Sequence, residues 1–327
     1  MSLNSKEKKS FEIFDFLYKY GTVVTIFILI IIFGASQKNF LQPSNIVNIL
    51  RSISIVAIIA IGVTISLTVG GFDLSVGSTA SVANAVVVSM FVWHNQVTWV
   101  SIIAALAAGV IIGMINSILI VKMKIPDMLL TLATMFIFQG VALTYTRGAT
   151  ISKNMIMQNG SFALGNIPDF FVKLGQVPWI IIIMITIIVI VHVFLTKTKH
   201  GRYMYVIGGN IEAARLLGIP VNKYKIYAYV LSALFAAIGG IILAARIQTA
   251  EINAGAPYLM DAVAAAYIGV SVGGVGKPNA LGTFAGAILI GILQNGLIML
   301  SVPYYMMDIV KGLVLAFALA LTYWKKK

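Results

Sequence analysis

The sequence predicts an all-α polytopic membrane protein with about ten transmembrane helices. Hydrophobic residues make up 60% of the 327 residues, charged residues make up only 10%, and the apolar residues are gathered into long runs. Soluble domains carry about 25% charged residues, and a helix needs about 20 apolar residues to cross the hydrocarbon layer. The composition therefore excludes an ordinary soluble enzyme, a disordered chain and a nucleic-acid-binding protein.

Ten apolar segments of suitable length follow one another along the chain, and they are too long to be membrane-spanning strands. The first is expected to be an uncleaved span rather than a secretory signal, because its aromatic approach makes it longer than a signal-peptide core. The segments are 16–35, 46–69, 74–93, 98–121, 126–146, 177–196, 225–246, 258–273, 280–300 and 304–324. We expect one transmembrane domain, residues 1–327, with halves at about 16–146 and 177–324.

Positive charge predicts the orientation, since cytoplasmic loops of membrane proteins are enriched in Lys and Arg. If the N-terminus is cytoplasmic and ten spans alternate, most of the 23 basic residues fall on the inner side. They are the N-terminal lysines, Lys122, Lys124, the run 197–225, Lys277 and the tail Lys325–Lys327. Both termini are therefore expected in the cytoplasm. The net charge of +13 indicates topology and attraction to anionic membrane lipids rather than to nucleic acid.

An internal repeat is predicted from three matches between the two halves. Segment 113–120 resembles 291–298, the step at 124–128 resembles that at 301–305, and Asp73 corresponds to Asp261. Each match is displaced by five predicted spans, and an odd displacement inverts one copy relative to the membrane. The pattern favours a five-plus-five inverted repeat, an arrangement in which transporters place their pathway between the repeats. Chance similarity between apolar helices rich in Gly, Ile and Leu is the alternative.

Polar residues within or beside the spans are the candidate pathway and gate residues, since ionisable residues in a membrane are functional hypotheses by default. Asp73 follows a helix break at Gly70-Gly71, where its carboxylate can accept backbone amides of the next helix. A capping role and a gating role are both open for Asp73 and for Asp261. The predicted pathway or gate residues are Asp73, Ser75, Ser78, Asn116, Asp261 and Asn295.

Catalytic and metal-binding motifs are not recognised in the sequence. The chain has no cysteine and only three scattered histidines. The glycine-rich segment 273–278 lacks the first glycine of a phosphate-binding loop, and Pro278 replaces the required Ser or Thr. Asp308 lies one turn from Lys311, a spacing that suits a mutually neutralising ion pair. A transport protein without its own ATPase site or bound cofactor is expected.

The segment 197–224 is expected to form a cytoplasmic loop that carries a short helix. Asn210 is a favourable N-cap, Glu212 suits the first turn, and Gly218 followed by Pro220 ends the helix. A short amphipathic helix between two spans has room to contact a cytosolic partner.

Several motifs together resemble those of ribose/xylose-type permeases of ATP-binding cassette (ABC) transporters. They cover nearly the whole chain after the first span, although the stretch between Ala266 and Gly282 departs from the family pattern by about two residues. The motifs are Asn48-Ile49-Leu50-Arg51, Gly70-Gly71-Phe72-Asp73-Leu74-Ser75-Val76-Gly77-Ser78, Gly201-Arg202, Gly208-Gly209-Asn210, Ala213-Ala214-Arg215, Gly218-Ile219, Ala254-Gly255, Tyr258, Asp261-Ala262-Val263-Ala264-Ala265 and Gly282-Thr283.

The resemblance implies a type II ABC importer-like permease in the inner membrane of a prokaryote. Two permease copies would form the pathway, a cytosolic ABC ATPase would use ATP-Mg, and an extracytoplasmic sugar-binding protein would deliver a monosaccharide. The ATPase-coupling loop would include Asn210, Glu212, Ala213, Arg215 and Gly218. The alternative is a stand-alone secondary transporter or channel for a small polar solute. The acids at predicted span ends argue against proton coupling.

Overall fold

The computed structural model describes residues 5–157, 160–272 and 276–323, and these ranges contain thirteen helices. Within them no strand occurs, and strand-like pairing is limited to isolated bridges between Ile151 and Ala250 and between Ile156 and Phe162. Residues 273–275 and the Lys325–Lys327 tail lie outside the described ranges. The helices are α1 (Ser5–Ser36), α2 (Pro43–Thr68), α3 (Val76–Val92), α4 (Thr98–Met123), α5 (Asp127–Tyr145), α6 (Asp169–Leu174), α7 (Trp179–Lys197), α8 (Lys199–Gly209), α9 (Ile211–Leu216), α10 (Val221–Ile247), α11 (Ala256–Ser271), α12 (Ala280–Met299) and α13 (Tyr304–Tyr323).

The helices agree with the predicted apolar segments. Each of the ten segments lies on a helix, namely α1 to α5, α7 and α10 to α13. Among the described residues, six helices are long and apolar enough to cross a membrane: α2, α4, α5, α7, α10 and α12. The prediction of an all-helical polytopic membrane protein is therefore confirmed. The count of ten spans stays a prediction, because α3 has 17 residues and α11 has 16.

Helix α10 lies at the centre of the bundle, where it packs against α2, α3 and α4. The close packing depends on glycines that face its backbone. A Cβ atom on Gly62 would lie 2.6 Å from the carbonyl oxygen of Ser232, and one on Gly113 would lie 2.8 Å from the Cα of Val230. Small residues at such contacts let helix backbones approach closely, which stabilises helix pairs in a membrane.

The chain breaks between α2 and α3, and this break positions much of the candidate site. Gly70 has a φ of +71°, and the amide of Gly71 donates to the carbonyl of Ser66 at 3.0 Å. A left-handed glycine with such a hydrogen bond is a common helix C-terminus. Residues 69–75 then lead into α3, and Gly208 of α8 packs against this break so closely that a Cβ there would clash with the Thr68 carbonyl.

The long segment between α5 and α7 is packed onto the bundle. Ile151 and Ala250 exchange backbone hydrogen bonds of 3.0 and 2.9 Å, which tie the segment to the end of α10. The buried ring of Phe171 in α6 contacts Phe91 of α3 at a centroid distance of 4.8 Å. These contacts fix the segment at the end of the bundle where α10 finishes.

Candidate functional site

Asp73 is the centre of a buried polar cluster between α2, α3, α4 and α10. Its Oδ1 accepts from the Ser75 amide at 2.9 Å and from the Ser75 hydroxyl at 2.6 Å, and its Oδ2 accepts from Ser232 at 2.8 Å. Asn116 donates to the Ser75 hydroxyl at 2.8 Å, and Ser78 donates to the Ser75 carbonyl at 2.9 Å. All five side chains are fully buried. The structure thus brings four of the predicted residues together, and it adds Ser232.

The depth of Asp73 differs from the sequence-based expectation that the acids lie at span ends. Asp73 precedes α3 in sequence, but its carboxylate bonds to Ser232 near the middle of α10. Ser232 is eleven residues past the start of α10, or about 17 Å along the helix axis. The chain enters the bundle after the exposed Gly70, which places the Asp73 carboxylate inside the bundle rather than at its surface. The predicted capping role is met only in part, because Ser75 is the N-cap residue of α3 and Asp73 accepts from the amide of Ser75 rather than from an amide within the helix.

A second polar group connects the break to the end of the bundle that carries α8 and α9. The Tyr229 hydroxyl donates to Asp127 at 2.6 Å and accepts from the Phe72 amide at 3.2 Å. Thr131 donates to the Phe72 carbonyl at 3.1 Å, and Lys225 lies 3.7 Å from the Asp127 carboxylate. Sequence reasoning missed this group. The available signal was the opposite charges of Asp127 and Lys225, each near the expected inner end of its span.

The short helix predicted within the segment 197–224 is observed as α9, while its cytoplasmic location stays a prediction. The Asn210 side chain accepts from the Ala213 amide at 3.0 Å, and Gly218 has a φ of +72° just past the helix end. Glu212 and Arg215 form an ion pair of 2.6 Å whose side chains are 74% and 59% exposed. Such an exposed pair adds little stability, so both charges remain available to another molecule.

Two leucines at the end of α9, not singled out from the sequence, are unusually exposed. Leu216 is 90% exposed and Leu217 is 71% exposed, whereas Ala214 is buried. Adjacent helix α8 is anchored by Tyr205, whose hydroxyl donates to the Pro278 carbonyl at 2.7 Å, and burial raises the pKa of this hydroxyl. The α8–α9 loop is therefore fixed to the bundle and presents charged and apolar side chains at one surface.

Asp261 and Asn295 lie at the other end of α10, where they line a cavity of about 440 Å³ that we call the polar cavity. The carboxylate of Asp261 is 3.5 Å from the Lys311 amine, which is also 3.7 Å from Asp308. The predicted Asp308–Lys311 pair thus exists, but Lys311 is shared with Asp261. Asn295 exchanges two amide hydrogen bonds with Asn45, of 2.9 and 3.1 Å. The cavity is lined by Ser52, Val56, Leu243, Arg246, Ile247, Glu251, Ala254, Pro257, Tyr258, Asp261, Gly291, Gln294, Asn295, Ile298, Asp308 and Lys311.

The predicted pathway residues therefore fall into two groups. Asp73, Ser75, Ser78 and Asn116 form the buried cluster, while Asp261 and Asn295 face the polar cavity. Their role in transport stays a prediction. Among the described residues, no group of three or more His, Cys, Asp or Glu side chains is arranged to hold a metal ion.

A family model described as the permease component of branched-chain amino acid transport systems matches residues 45–319. The chain belongs to this permease family. Its members are membrane transport components rather than enzymes, which agrees with the apolar helices of the bundle. No solved structure matches the permease.

Named relatives cover nearly the full length of the permease. It is 38% identical over 315 residues to the ribose import permease protein RbsC of Bacillus subtilis, with 96% of each chain covered. It is 36% identical over 305 residues to RbsC of Escherichia coli (strain K12), with 92% of each covered. It is 33% identical over 325 residues to the L-arabinose transport system permease protein AraH of the same strain, covering 98% of the permease and 95% of AraH. The resemblance to monosaccharide permeases is thereby confirmed.

Proposed function

We propose that the permease is the membrane subunit of an ABC importer that moves a monosaccharide across the inner membrane of a bacterium. An extracytoplasmic binding protein delivers the sugar, two permease copies form the pathway, and a separate cytosolic ATPase hydrolyses ATP-Mg. The full-length similarity to ribose and arabinose permeases carries this proposal. The permease itself binds no cofactor and contributes no ATPase site.

The exposed end of α9 supports the assignment of the ATPase-coupling loop. Leu216 and Leu217 place apolar surface beside the Glu212–Arg215 pair. Apolar contacts at the centre and charged groups around them are typical of protein interfaces. The capped helix, with Asn210 at its start and Gly218 at its end, gives this surface a fixed shape for docking.

A path of contacts from this loop to the bundle interior supports a coupling mechanism by alternating access. Gly208 of α8 packs against the α2–α3 break at Thr68, and Tyr229, which donates to Asp127, accepts from the amide of Phe72 in the same break. A displacement of α8–α9 by the ATPase would therefore act on the residues next to Asp73. In this mechanism the Asp73 cluster is a gate element and not an ion-binding site.

The helix contacts support the five-plus-five inverted repeat of ten spans. In the first half α3 packs against α4 and against α10; in the second half the corresponding helix α11 packs against α12 and against α2. Likewise α4 packs against α10, and its counterpart α12 packs against α2. When the number of every span is shifted by five, each of these contacts in the first set becomes a contact of the second set. With this topology both termini are cytoplasmic and α8–α9 lies on the cytoplasmic side.

The test is uptake of labelled D-ribose, D-xylose and L-arabinose by proteoliposomes that contain the permease, the ATPase and the binding protein. Uptake that requires both partners and ATP is expected. Uptake by the permease alone, driven by a proton gradient and insensitive to ATP, would instead identify the stand-alone transporter.

The coupling loop is tested separately with Arg215→Glu, Gly218→Trp and Leu216→Asp. Each is expected to lower ATP-driven uptake at least about tenfold, a change equivalent to about 1.4 kcal/mol, and Leu216→Asp is expected to weaken co-purification of the ATPase. Leu164→Asp is the matched control, since Leu164 is 88% exposed but lies in the segment before α6, away from α8–α9. Normal transport by all three loop variants would contradict the assignment.

A further inference from the structure

The polar cavity lies at the end of the bundle opposite to the coupling loop. Five helices line it: α2 with residues of its first half and middle, α11 and α13 near their starts, and α10 and α12 near their ends. Arg246 in the cavity and Val221 beside the loop are separated by nearly the whole of α10, or about 38 Å along its axis. In the proposed orientation the cavity therefore faces the extracytoplasmic side, from which the solute arrives.

The charges of the cavity favour a neutral ligand over an ion. Arg246 and Lys311 supply positive charge, while Glu251, Asp261 and Asp308 supply negative charge. An anion would meet three carboxylates and a cation would meet two basic groups at close range. A neutral ligand with many hydroxyl groups suits the basic groups and the carboxylates alike, because each hydroxyl can donate to a carboxylate and accept from a basic or amide group.

Some polar groups of the cavity are already paired, and others are free. Lys311 is held by Asp261 and Asp308, and Asn295 is held by Asn45. In contrast, across the described ranges of the chain the side chains of Ser52, Arg246 and Gln294 form no hydrogen bond or ion pair with protein groups. The half-buried Arg246 offers a planar set of donors, and the Gln294 amide offers a donor and an acceptor. These groups are available to a ligand.

The size and lining agree with a small-molecule site. Pockets for small ligands range from about 300 to 1,000 Å³ and combine apolar walls with a few polar groups. The polar cavity has a volume of about 440 Å³, and Val56, Leu243 and Ile298 supply apolar wall beside the polar side chains. Tyr258 contributes both an aromatic face and a hydroxyl.

We propose that the polar cavity is the site at which the permease receives a neutral monosaccharide, with Arg246 and Gln294 as its principal binding residues and Ser52 as a further contact. The paired Asp261–Lys311–Asp308 group forms one wall and excludes charged sugars. This inference rests on the proposed function, because it assigns a receiving site within the same importer.

Direct binding tests the site without the binding protein. The permease–ATPase complex in lipid nanodiscs is titrated with D-ribose, D-xylose and L-arabinose, and binding is followed by saturation-transfer NMR. We expect weak binding of at least one of these sugars by the native complex and at least tenfold weaker binding by Arg246→Gln and Gln294→Ala. The corresponding sugar acids, such as D-ribonate, are expected to give no signal.

Gln42→Ala is the matched control for Gln294→Ala, since Gln42 lies at the same end of the bundle, does not line the cavity, and donates from its side chain to Asn39 at 2.9 Å. Ser52→Ala is a milder variant, and thermal unfolding checks that each variant is folded. The absence of binding by the native complex, equal loss in Gln42→Ala, or unchanged binding by both Arg246→Gln and Gln294→Ala would each overturn the inference.

Transport assays distinguish a failure of the receiving site from a failure of the proposed function. If the native system shows ATP-driven uptake while Arg246→Gln and Gln294→Ala transport at the native rate, the receiving site is wrong and the proposed function stands. If the native system shows no ATP-dependent uptake of any tested sugar, the proposed function itself fails.

Discussion

Asp73 and Asp261, which the predicted repeat relates to one another, lie in contrasting surroundings. Asp73 is fully buried and accepts hydrogen bonds from Ser75 and Ser232, and no ion pair to it occurs among the described residues. The side chain of Asp261 is 16% exposed, faces a cavity and lies 3.5 Å from the Lys311 amine. The two carboxylates that the predicted repeat relates thus have different partners.

The difference indicates different tasks for the buried cluster around Asp73 and for the cavity that Asp261 lines. Hydroxyl donors hold Asp73 within a buried contact between α3, α4 and α10, which connects a chain break to its neighbours. Asp261 is part of a charged wall that faces a space open to solutes. One site is suited to transmit a movement inside the protein, and the other is suited to receive a ligand.

Removal of the Lys311 cation beside Asp261 is expected to lower the free energy of unfolding more than any other change considered. Lys311→Met leaves a mostly buried carboxylate unpaired, and the expected loss in the free energy of unfolding is about 3–5 kcal/mol. The double variant Asp261→Asn/Lys311→Met is expected to recover most of it. Unfolding in mixed detergent micelles measures the loss of stability in Lys311→Met and its recovery in the double variant. Asp308→Asn is the control, since Asp308 is 92% exposed and its loss is expected to matter little. A Lys311→Met protein as stable as this control would contradict the ion-pair interpretation.

Neutralisation of Asp73 is expected to have a smaller effect. Asp73→Asn keeps the shape and one acceptor oxygen but turns an NH₂ group toward a hydroxyl donor, with an expected cost of about 1–3 kcal/mol in the free energy of unfolding. Ser232→Ala removes one donor and is expected to cost about 1 kcal/mol. A loss as large as that of Lys311→Met would show that the charge of Asp73 is needed, and the contrast with Asp261 would be wrong.

The smallest expected effect concerns the contact of α8 with the break next to Asp73. A Cβ on Gly208 would clash with the Thr68 carbonyl, whereas a Cβ on the adjacent Gly209 meets nothing within 4 Å. Gly208→Ala is expected to destabilise by about 1 kcal/mol, the low end for overpacking, and to lower ATP-driven uptake. Gly209→Ala is expected to change stability by less than about 0.5 kcal/mol and to transport normally. Equal behaviour of the two variants in unfolding and uptake assays would exclude this contact as a coupling element.

Features set by neighbouring residues could be predicted from the sequence. Helix α9 has its cap, its charges and its terminating glycine within nine residues, 210–218, and it forms as expected. The ten apolar segments and the Asp308–Lys311 pair are local in the same sense, since each depends on residues within one helix.

Contacts between spans could not be predicted, for a physical reason. A helix that is apolar on all sides carries no pattern that fixes which face meets which neighbour. The Asp261–Lys311 and Asp73–Ser232 contacts join residues far apart in sequence, and each depends on how such helices are rotated about their axes. For the same reason the burial of Asp73 could not be predicted, since the sequence marks the helix break before α3 but not the position of that break within the bundle.

The exposed leucines of α9 have a consequence for how the cell must make this protein. In the proposed importer, a copy without its ATPase would present Leu216 and Leu217 to the cytosol, where uncovered apolar side chains promote aggregation and attract chaperones and proteases. Balanced synthesis of the two subunits would cover this surface soon after insertion. The abundance of the permease would then follow the supply of its ATPase, and expression of the permease alone would give low yields.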